Sequence, residues 1–202
     1  YYAATRLGAK LARAGYTVVT GGGPGAMEAA NLGARLSRRP TAIDNAVKTL
    51  ATVPSFRPDI TAWVSVALEV ANRYKLAAPN IGMPTWYYGH EPPNVFATTI
   101  AKFFNNAIRE DMLLERCRGG VIYLPGAAGT VQEIFQAATR NYYTADHAEV
   151  GPMVLVGIEH WTKVLPAWEL LSALGAGRPM GDKLVLVDSI DEAAAALDTL
   201  SR

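Results

Sequence analysis

The sequence has 202 residues, of which half are hydrophobic and 18% are charged, and its formal net charge is +1. This composition is typical of a single folded domain and excludes an intrinsically disordered chain. Because basic and acidic residues nearly cancel, there is no electrostatic reason to expect nucleic acid as a partner. No uncharged apolar run approaches the roughly 18 residues that cross a bilayer, so we expect no membrane partner.

The few cysteines and histidines limit the chemistry that the chain can perform. Cys117 is the only cysteine, which excludes an internal disulfide. The three histidines are scattered, and one cysteine among them does not make a zinc-binding pattern. We therefore predict neither a metal nor a cofactor. A reducing, cytoplasmic location fits this cysteine usage best.

Helix-like and strand-like segments alternate along the chain. In chain order, the patterns predict a helix over Tyr2–Ala14, a strand over Tyr16–Thr20, helices over Ala26–Leu36, Ala42–Leu50 and Ile60–Leu76, a strand over Ile81–Thr85, a long helix over Phe96–Cys117, a strand over Val121–Leu124, a helix over Thr130–Tyr142, a strand over Pro152–Val156, a helix over Trp161–Leu174 and a strand over Leu184–Val187. Ser189 and Glu192 form a capping box that begins the final helix.

This alternation predicts an α/β fold with a doubly wound, Rossmann-like parallel sheet flanked by helices. We expect a single Rossmann-like nucleotide-binding domain over residues 1–202. Since such domains normally start with a strand and this chain starts with a helix, we also expect an opening strand before residue 1. Residues 38–78 are longer than a normal connection and read as a helical insertion. The insertion could be a lid, a partner surface or a packing extension.

The first glycine-rich motif covers residues 20–28, which read TGGGPGAME. It follows a predicted strand and opens a predicted helix, where free backbone N–H groups and the helix dipole favour an anion. Neither the dinucleotide fingerprint nor the P-loop spacing is present. The alternative interpretation is a tight strand-to-helix turn without a ligand.

The second motif covers residues 124–133, LPGAAGTVQE, in the same strand–loop–helix context. Backbone N–H groups from Gly126 to Thr130 are able to cradle a phosphate, with Glu133 one turn into the helix. The competing interpretation is a capping box, with Thr130 as N-cap and Glu133 as its partner. Carboxyl ends of parallel strands meet at one edge of a sheet, so we expect both glycine loops to form one nucleotide site.

Other side chains are weaker candidates. Arg109 precedes the strand over Val121–Leu124, and an arginine fork suits a phosphate or sugar. Its alternative role is on a solvated helix face, in i,i+4 pairs. The turn-rich loop over residues 89–94 could also reach the ligand edge. The scattered Trp and Tyr residues are expected to serve packing rather than base stacking.

Taken together, GGGPGAMEAAN and PGAAGTVQE, about a hundred residues apart, resemble the Lonely Guy (LOG) family. Its members were long described as possible lysine decarboxylases, and its relatives include bacterial nucleotide 5′-monophosphate nucleosidases. The family pattern is GGGxxGxM followed by PGGxGTxxE. The EPPN sequence at Glu91–Asn94 is similar to a loop of some relatives. The resemblance covers most of residues 2–143 outside the insertion.

This resemblance implies a Rossmann-like enzyme that hydrolyses the N-glycosidic bond of a nucleoside 5′-monophosphate, either a cytokinin ribotide or AMP or another common nucleotide. It implies a homodimer or a higher homo-oligomer. Glu133 and Arg109 match the family's catalytic residues, and Arg116 is the alternative arginine. Substrate or phosphate binding is implied for Gly22, Gly23, Gly25, Met27, Gly126, Gly129 and Thr130, with Glu91 and Asn94 as secondary candidates.

The sequence departs from the family pattern at two positions. Ala127 replaces the second glycine of PGG, which matters if that residue needs a positive φ or touches the phosphate. Gln132 replaces the first of two glutamates, although Glu133 is kept. The departures leave open a nucleotide-binding carrier or sensor without chemistry, or a structural scaffold. A decarboxylase is disfavoured, because no lysine stands in a pyridoxal-type context and the loops suit a phosphate.

Overall fold

A computed structural model describes residues 1–75, 77–89 and 91–201. It is a mixed α/β structure with two three-stranded parallel sheets flanked by helices, which confirms the predicted Rossmann-like fold class. The chain divides into two compact units, Tyr1–Leu113 and Leu114–Arg202. Among the residues described, no helix combines the length and apolarity needed to cross a bilayer. The single-domain assignment and the opening strand stay predictions.

The first unit contains the first sheet and most of the predicted helices. Its elements are α1 (Tyr2–Arg13), β1 (Val18–Thr20), α2 (Ala26–Leu36), α3 (Ile43–Leu50), α4 (Ile60–Arg73), β2 (Asn80–Gly82), β3 (Thr99–Ile100) and the start of α5 (Asn106–Arg116). The strand order is β1-β2-β3, with every pair parallel. In register, Val18 lies opposite Asn80 and Ile81 lies opposite Thr99.

Glycines allow α1 and α2 to pack in close contact. A β-carbon placed on Gly33 would collide with the Thr5 carbonyl and lie 2.7 Å from the backbone nitrogen of Ala9. Gly8 meets the backbone of Ala30 in the same way. The backbones of the two helices are therefore in direct contact. This packing fixes the position of α2, the helix that follows the first glycine-rich motif.

The predicted insertion packs on the core of the first unit. Helices α3 and α4 are both present, but α4 ends at Arg73 rather than at the predicted Leu76, which itself lies outside the described residues. Asp59 caps α4 by accepting hydrogen bonds from the Thr61 and Ala62 N–H groups at 2.9 and 3.0 Å. Both helices share one core with α1 and α2, whose buried members are Ala9, Leu32, Leu36, Ile43, Ala46, Leu50, Ala67, Val70, Ala71 and Phe96. The insertion is at least a packing extension.

The long helix predicted over Phe96–Cys117 is wrong in its first half. Residues 99–100 form β3, and helix α5 begins only at Asn106. β-Branched Thr98, Thr99 and Ile100 suit an extended strand better than a helix. Asn105 then starts the helix, since its side chain accepts a hydrogen bond from the Ile108 N–H at 3.1 Å.

The second unit contains the second sheet, in the order β4-β5-β6 with parallel pairing. Its elements are the end of α5, β4 (Val121–Tyr123), α6 (Ala128–Tyr143), β5 (Met153–Val156), a π-type helical segment (His160–Val164), α7 (Ala167–Gly175), β6 (Leu184–Val187) and α8 (Ile190–Leu200). All four residues of β5 are buried, as expected for a central strand covered on both faces.

Helix ends in the second unit follow local capping chemistry. The predicted capping box of Ser189 and Glu192 is confirmed at the start of α8. The continuous helix predicted over Trp161–Leu174 is wrong, because Leu165 and Pro166 separate the π-type segment from α7. Proline has no N–H to donate and its ring clashes with the preceding turn, so the chain restarts as a new helix after it.

Candidate functional site

The first glycine loop, residues 21–25, turns sharply between β1 and α2. Gly22 has a φ of +71°, and a β-carbon there would lie 2.9 Å from the Met83 nitrogen and 2.7 Å from Pro84 Cδ. Gly25 precedes α2 with a φ of +78°. Gly22 therefore requires glycine because its φ is positive and its neighbours are too close for a β-carbon. Gly25 requires glycine because of its positive φ alone.

A buried asparagine network holds this loop in place. Asn31 on α2 donates to the Asn80 side chain at 2.9 Å and accepts from Thr20 Oγ1 at 2.7 Å. Asn94 donates to Asn31 Oδ1 at 3.0 Å, and its N–H donates to the Gly22 carbonyl at 2.9 Å. All three asparagines are buried. Asn94, a secondary candidate for ligand contact, is therefore placed to fix the loop.

Three further predicted residues surround the first loop. A β-carbon on Gly21 would lie 2.8 Å from Met27 Sδ and 3.1 Å from Arg109 Nη1. One on Gly23 would lie 2.8 Å from Met27 Cε and 3.7 Å from Glu91 Oε2. The structure thus brings Met27, Arg109 and Glu91 together at this loop. His90, the neighbour of Glu91, lies outside the described residues.

Arg109 is buried, which excludes the solvated helix face considered as its alternative role. Its Nη2 lies 2.8 Å from Glu110 Oε1 and 2.9 Å from Asn106 Oδ1. Glu110 is also buried. Arg116, the alternative arginine, is exposed. Geometry therefore favours Arg109 over Arg116 as the arginine associated with the first loop.

Glu28 is a buried acid that the sequence analysis did not single out. It lies in the first turn of α2 and accepts a hydrogen bond from the Tyr1 hydroxyl. Burial raises the pKa of Glu28 to about 7, although the Tyr1 hydrogen bond opposes this shift. Its Oε2 is buried and has no hydrogen-bond partner within residues 1–75, 77–89 and 91–201. A glutamate at the third position of a helix is usually interpreted as a cap, so nothing in the local pattern predicts its burial.

The second glycine loop leads into α6 earlier than predicted. The N-cap is Ala127, and Thr130 lies inside the helix, so the capping box proposed for Thr130 and Glu133 is wrong. Ala127 has a φ of −124°, which any L-residue adopts, so alanine fits this position of the family pattern without strain. The first N–H groups of α6 face no partner within the helix and can serve an anion.

The two glycines of the second loop have different surroundings. Gly126 packs against the Thr130 side chain so closely that a β-carbon would collide with the hydroxyl. Gly129 is exposed, with open space around its Cα. Thr130 and Glu133 are three residues apart and share one face of α6. The loop therefore has an exposed glycine at the start of α6 and an acid, Glu133, one turn further along the helix.

Glu133 is half-buried, and it lies close enough to Cys117 for its charge to raise the pKa of the thiol. The pKa of the Cys117 thiol is raised to about 11, mainly by burial and additionally by the Glu133 charge.

His160 is a second residue that the sequence analysis did not single out. Its Nε2 lies 3.0 Å from the carbonyl oxygen of Gly126 in the second loop. No spacing to a Ser or Cys suggested a function for this histidine, and only its position after β5 brings it to the loop.

The remaining candidates are metal-binding groups and exposed aromatic side chains. No group of three or more His, Cys, Asp or Glu in the described part of the chain is arranged to hold a metal ion. Trp63 and Trp161 are buried, as the packing interpretation requires. Trp86 is 52% exposed and stacks on Phe104 with centroids 6.1 Å apart. The aromatic residues therefore do not all serve the core.

The parallel sheets flanked by helices, with glycine loops between strand and helix, define the class of protein as a Rossmann-like α/β protein. The family model described as "Possible lysine decarboxylase" matches residues 67–200. The chain belongs to this family, and the resemblance to LOG proteins is confirmed. The match includes the second glycine loop, whereas the first precedes it. A search of curated proteins finds no match to the chain.

Proposed function

We propose that this protein is a phosphoribohydrolase, which hydrolyses the N-glycosidic bond of a nucleoside 5′-monophosphate. Water would add to C1′ of the ribose while the bond from C1′ to the base breaks, and the base would leave with a proton. The products would be free base and ribose 5-phosphate. Family membership supports the proposal, and the position of Glu133 within the first two turns of the helix that begins at the second glycine loop carries it.

The residues have distinct roles in this proposal. N–H groups of residues 126–130 would hold the 5′-phosphate, whose binding energy positions the sugar. The Glu133 carboxylate would stabilise the positive charge that develops on the ribose and activate the attacking water. Arg109 would donate hydrogen bonds to the ribose or the base.

A nucleotide panel tests the proposal directly. The protein is incubated with AMP, CMP and GMP, and free base and ribose 5-phosphate are identified. Glu133→Gln should slow base release by at least about 100-fold, the usual contribution of a general base. The exposed Glu149→Gln is the matched control and should be fully active. Equal base release by wild type and Glu133→Gln would disprove the mechanism.

The proposed role of Arg109 is tested with a conservative substitution. Arg109→Ala would leave the buried Glu110 carboxylate without its ion-pair partner, which typically destabilises a protein by about 3–5 kcal/mol. Arg109→Lys keeps the charge and removes the planar fork. It should reduce turnover at least tenfold while the melting temperature changes little. Normal turnover in a folded Arg109→Lys variant would remove Arg109 from the site.

Two other activities are outcomes of the same panel. Nucleotide binding without base release would identify a carrier or sensor, which the departure at Ala127 first suggested. Release of CO₂ from lysine, assayed with and without pyridoxal phosphate, would instead support the activity named in the family description. Among the residues described, no lysine is buried, so none is in the desolvated setting that makes a lysine amine nucleophilic.

A further inference from the structure

His160 contacts one peptide group of the second glycine loop, and this contact bears on the orientation of that peptide. Its Nε2 lies 3.0 Å from the Gly126 carbonyl oxygen. A carbonyl only accepts hydrogen bonds, so Nε2 must carry the hydrogen. In a planar trans peptide the C=O and N–H point in opposite directions. With the Gly126 carbonyl turned toward His160, the N–H of Ala127 points away from the imidazole.

The surrounding structure fixes His160 in this position. Gly157, at a φ of +100°, ends β5, and a β-carbon on it would lie 3.2 Å from Pro125 Cγ and 3.6 Å from His160 Cβ. The next residue, Trp161, is fully buried and donates its indole N–H to the Val156 carbonyl at 2.9 Å. The π-type segment then begins at His160, and such segments occur frequently at functional sites.

The Gly126 peptide needs such a restraint. Glycine has no β-carbon to restrict its ψ angle, so the peptide between Gly126 and Ala127 is among the easiest in the loop to rotate. Rotation would turn a carbonyl oxygen, rather than an N–H group, toward any anion bound at the start of α6. A single hydrogen bond from His160 opposes that rotation.

We propose that His160 is a positioning residue of this loop, which holds the Ala127 N–H in the orientation that binds a phosphate. The identity of the phosphate as the 5′-group of a nucleotide rests on the proposed function. The restraint needs a hydrogen-bond donor and no charge, since both the neutral Nε2–H tautomer and the protonated ring donate from Nε2.

The orientation of the Ala127 N–H bond, measured by NMR residual dipolar coupling, tests the restraint without relying on catalysis. His160→Leu removes the donor, His160→Gln keeps an N–H donor at a similar reach, and the exposed His147→Leu is the control in the same unit. In His160→Leu, the Ala127 N–H coupling should fall below its wild-type value because the peptide between Gly126 and Ala127 is free to rotate, while the couplings in β4 stay unchanged. His160→Gln should restore the wild-type coupling. A wild-type coupling in His160→Leu would overturn the proposal.

Phosphate affinity and kinetics test its consequence. Inorganic phosphate, titrated against the amide signals of residues 126–130, should bind wild type at least about fivefold more tightly than His160→Leu. If base release occurs, KM for the nucleotide should rise in His160→Leu more than kcat falls, with rescue by His160→Gln. Equal phosphate affinity, or no phosphate binding by wild type, would overturn the positioning role. If phosphate binds as expected but no base is released, the positioning role stands and the hydrolase proposal fails.

Discussion

Arg109 and Glu110 show how burial changes the meaning of a charged pair. In the sequence, alternating charges around Arg109 indicate a solvated helix face. In the structure both side chains are buried and bonded to each other at 2.8 Å, next to the first glycine loop. Helical neighbours usually point apart, so i,i+4 spacing gave no hint of this pair. Desolvated charges of this kind are costly and are often found at functional sites.

The titration of Glu28 should make the stability of the protein depend on pH. Its pKa is about 7 in the folded chain and near 4.5 in a model peptide, so the folded state holds an extra proton between these values. The stabilisation is full below about pH 4.5 and is lost as pH rises through 7. Glu28→Gln should remove a pH-dependent loss on the order of 3 kcal/mol in urea unfolding. The exposed Glu69→Gln should keep the wild-type slope, and an unchanged slope in Glu28→Gln would contradict the assignment.

Cys117 reports on the position of Glu133. Burial and the Glu133 charge raise the thiol pKa to about 11, so iodoacetamide should react slowly with the folded protein at pH 8. Glu133→Gln removes the charge, lowers the thiol pKa and should accelerate alkylation severalfold. Glu115→Gln, an exposed residue nearer in sequence, should have no effect. Equal alkylation rates in wild type and Glu133→Gln would place Glu133 away from Cys117.

Among the elements, side-chain networks fix where loops lie and where helices begin. Asn31, Asn80 and Asn94 come from a helix, a strand and a loop, and together they hold the first glycine turn. Satisfied polar networks in a core rigidify what they connect. Helix α6 begins at Ala128, two residues before the predicted start, because Thr130 packs on Gly126 instead of capping the helix.

Close packing of α1 on α2 predicts the effect of one added methyl group. Gly33→Ala would press a β-carbon into the Thr5 carbonyl and the Ala9 nitrogen, both of them backbone atoms that cannot swing aside. We expect a loss of about 1–3 kcal/mol in chemical denaturation. Gly129→Ala, also helical but with open space around it, should be neutral or slightly stabilising. Equal stability of the two variants would refute close helix packing.

For the whole molecule, two kinds of evidence relate the fold to a function: family membership, and the stabilisation that a bound ligand gives to the native state. The family model spans residues 67–200, so the chain's relationship rests on much more than the glycine motifs. A ligand that binds only the native state must raise its stability, whatever chemistry follows. Ligand-dependent melting therefore tests what the family's fold binds, separately from what it catalyses.

Nucleotide monophosphates should stabilise the folded protein. At a concentration near 100 times Kd, AMP should add about 2.7 kcal/mol, which corresponds to roughly 5–10 °C in melting temperature for a chain of this size. Glu133→Gln is used to prevent turnover during the scan. Adenosine, which lacks the phosphate, should give a smaller shift. A shift with lysine and none with nucleotides would contradict the phosphate-binding assignment.

Periodicity and turn chemistry by themselves determined the fold class, the bounds of α2 and β6, the insertion helices and the capping box of α8, because these depend on nearby residues. They also identified both glycine loops, since close approach and positive φ demand glycine. The tertiary structure alone decided the short strand β3, the buried pair of Arg109 and Glu110, the desolvation of Glu28 and the contact of His160 with Gly126. Those features join residues distant in sequence or depend on burial, and both are set by packing that no local pattern records.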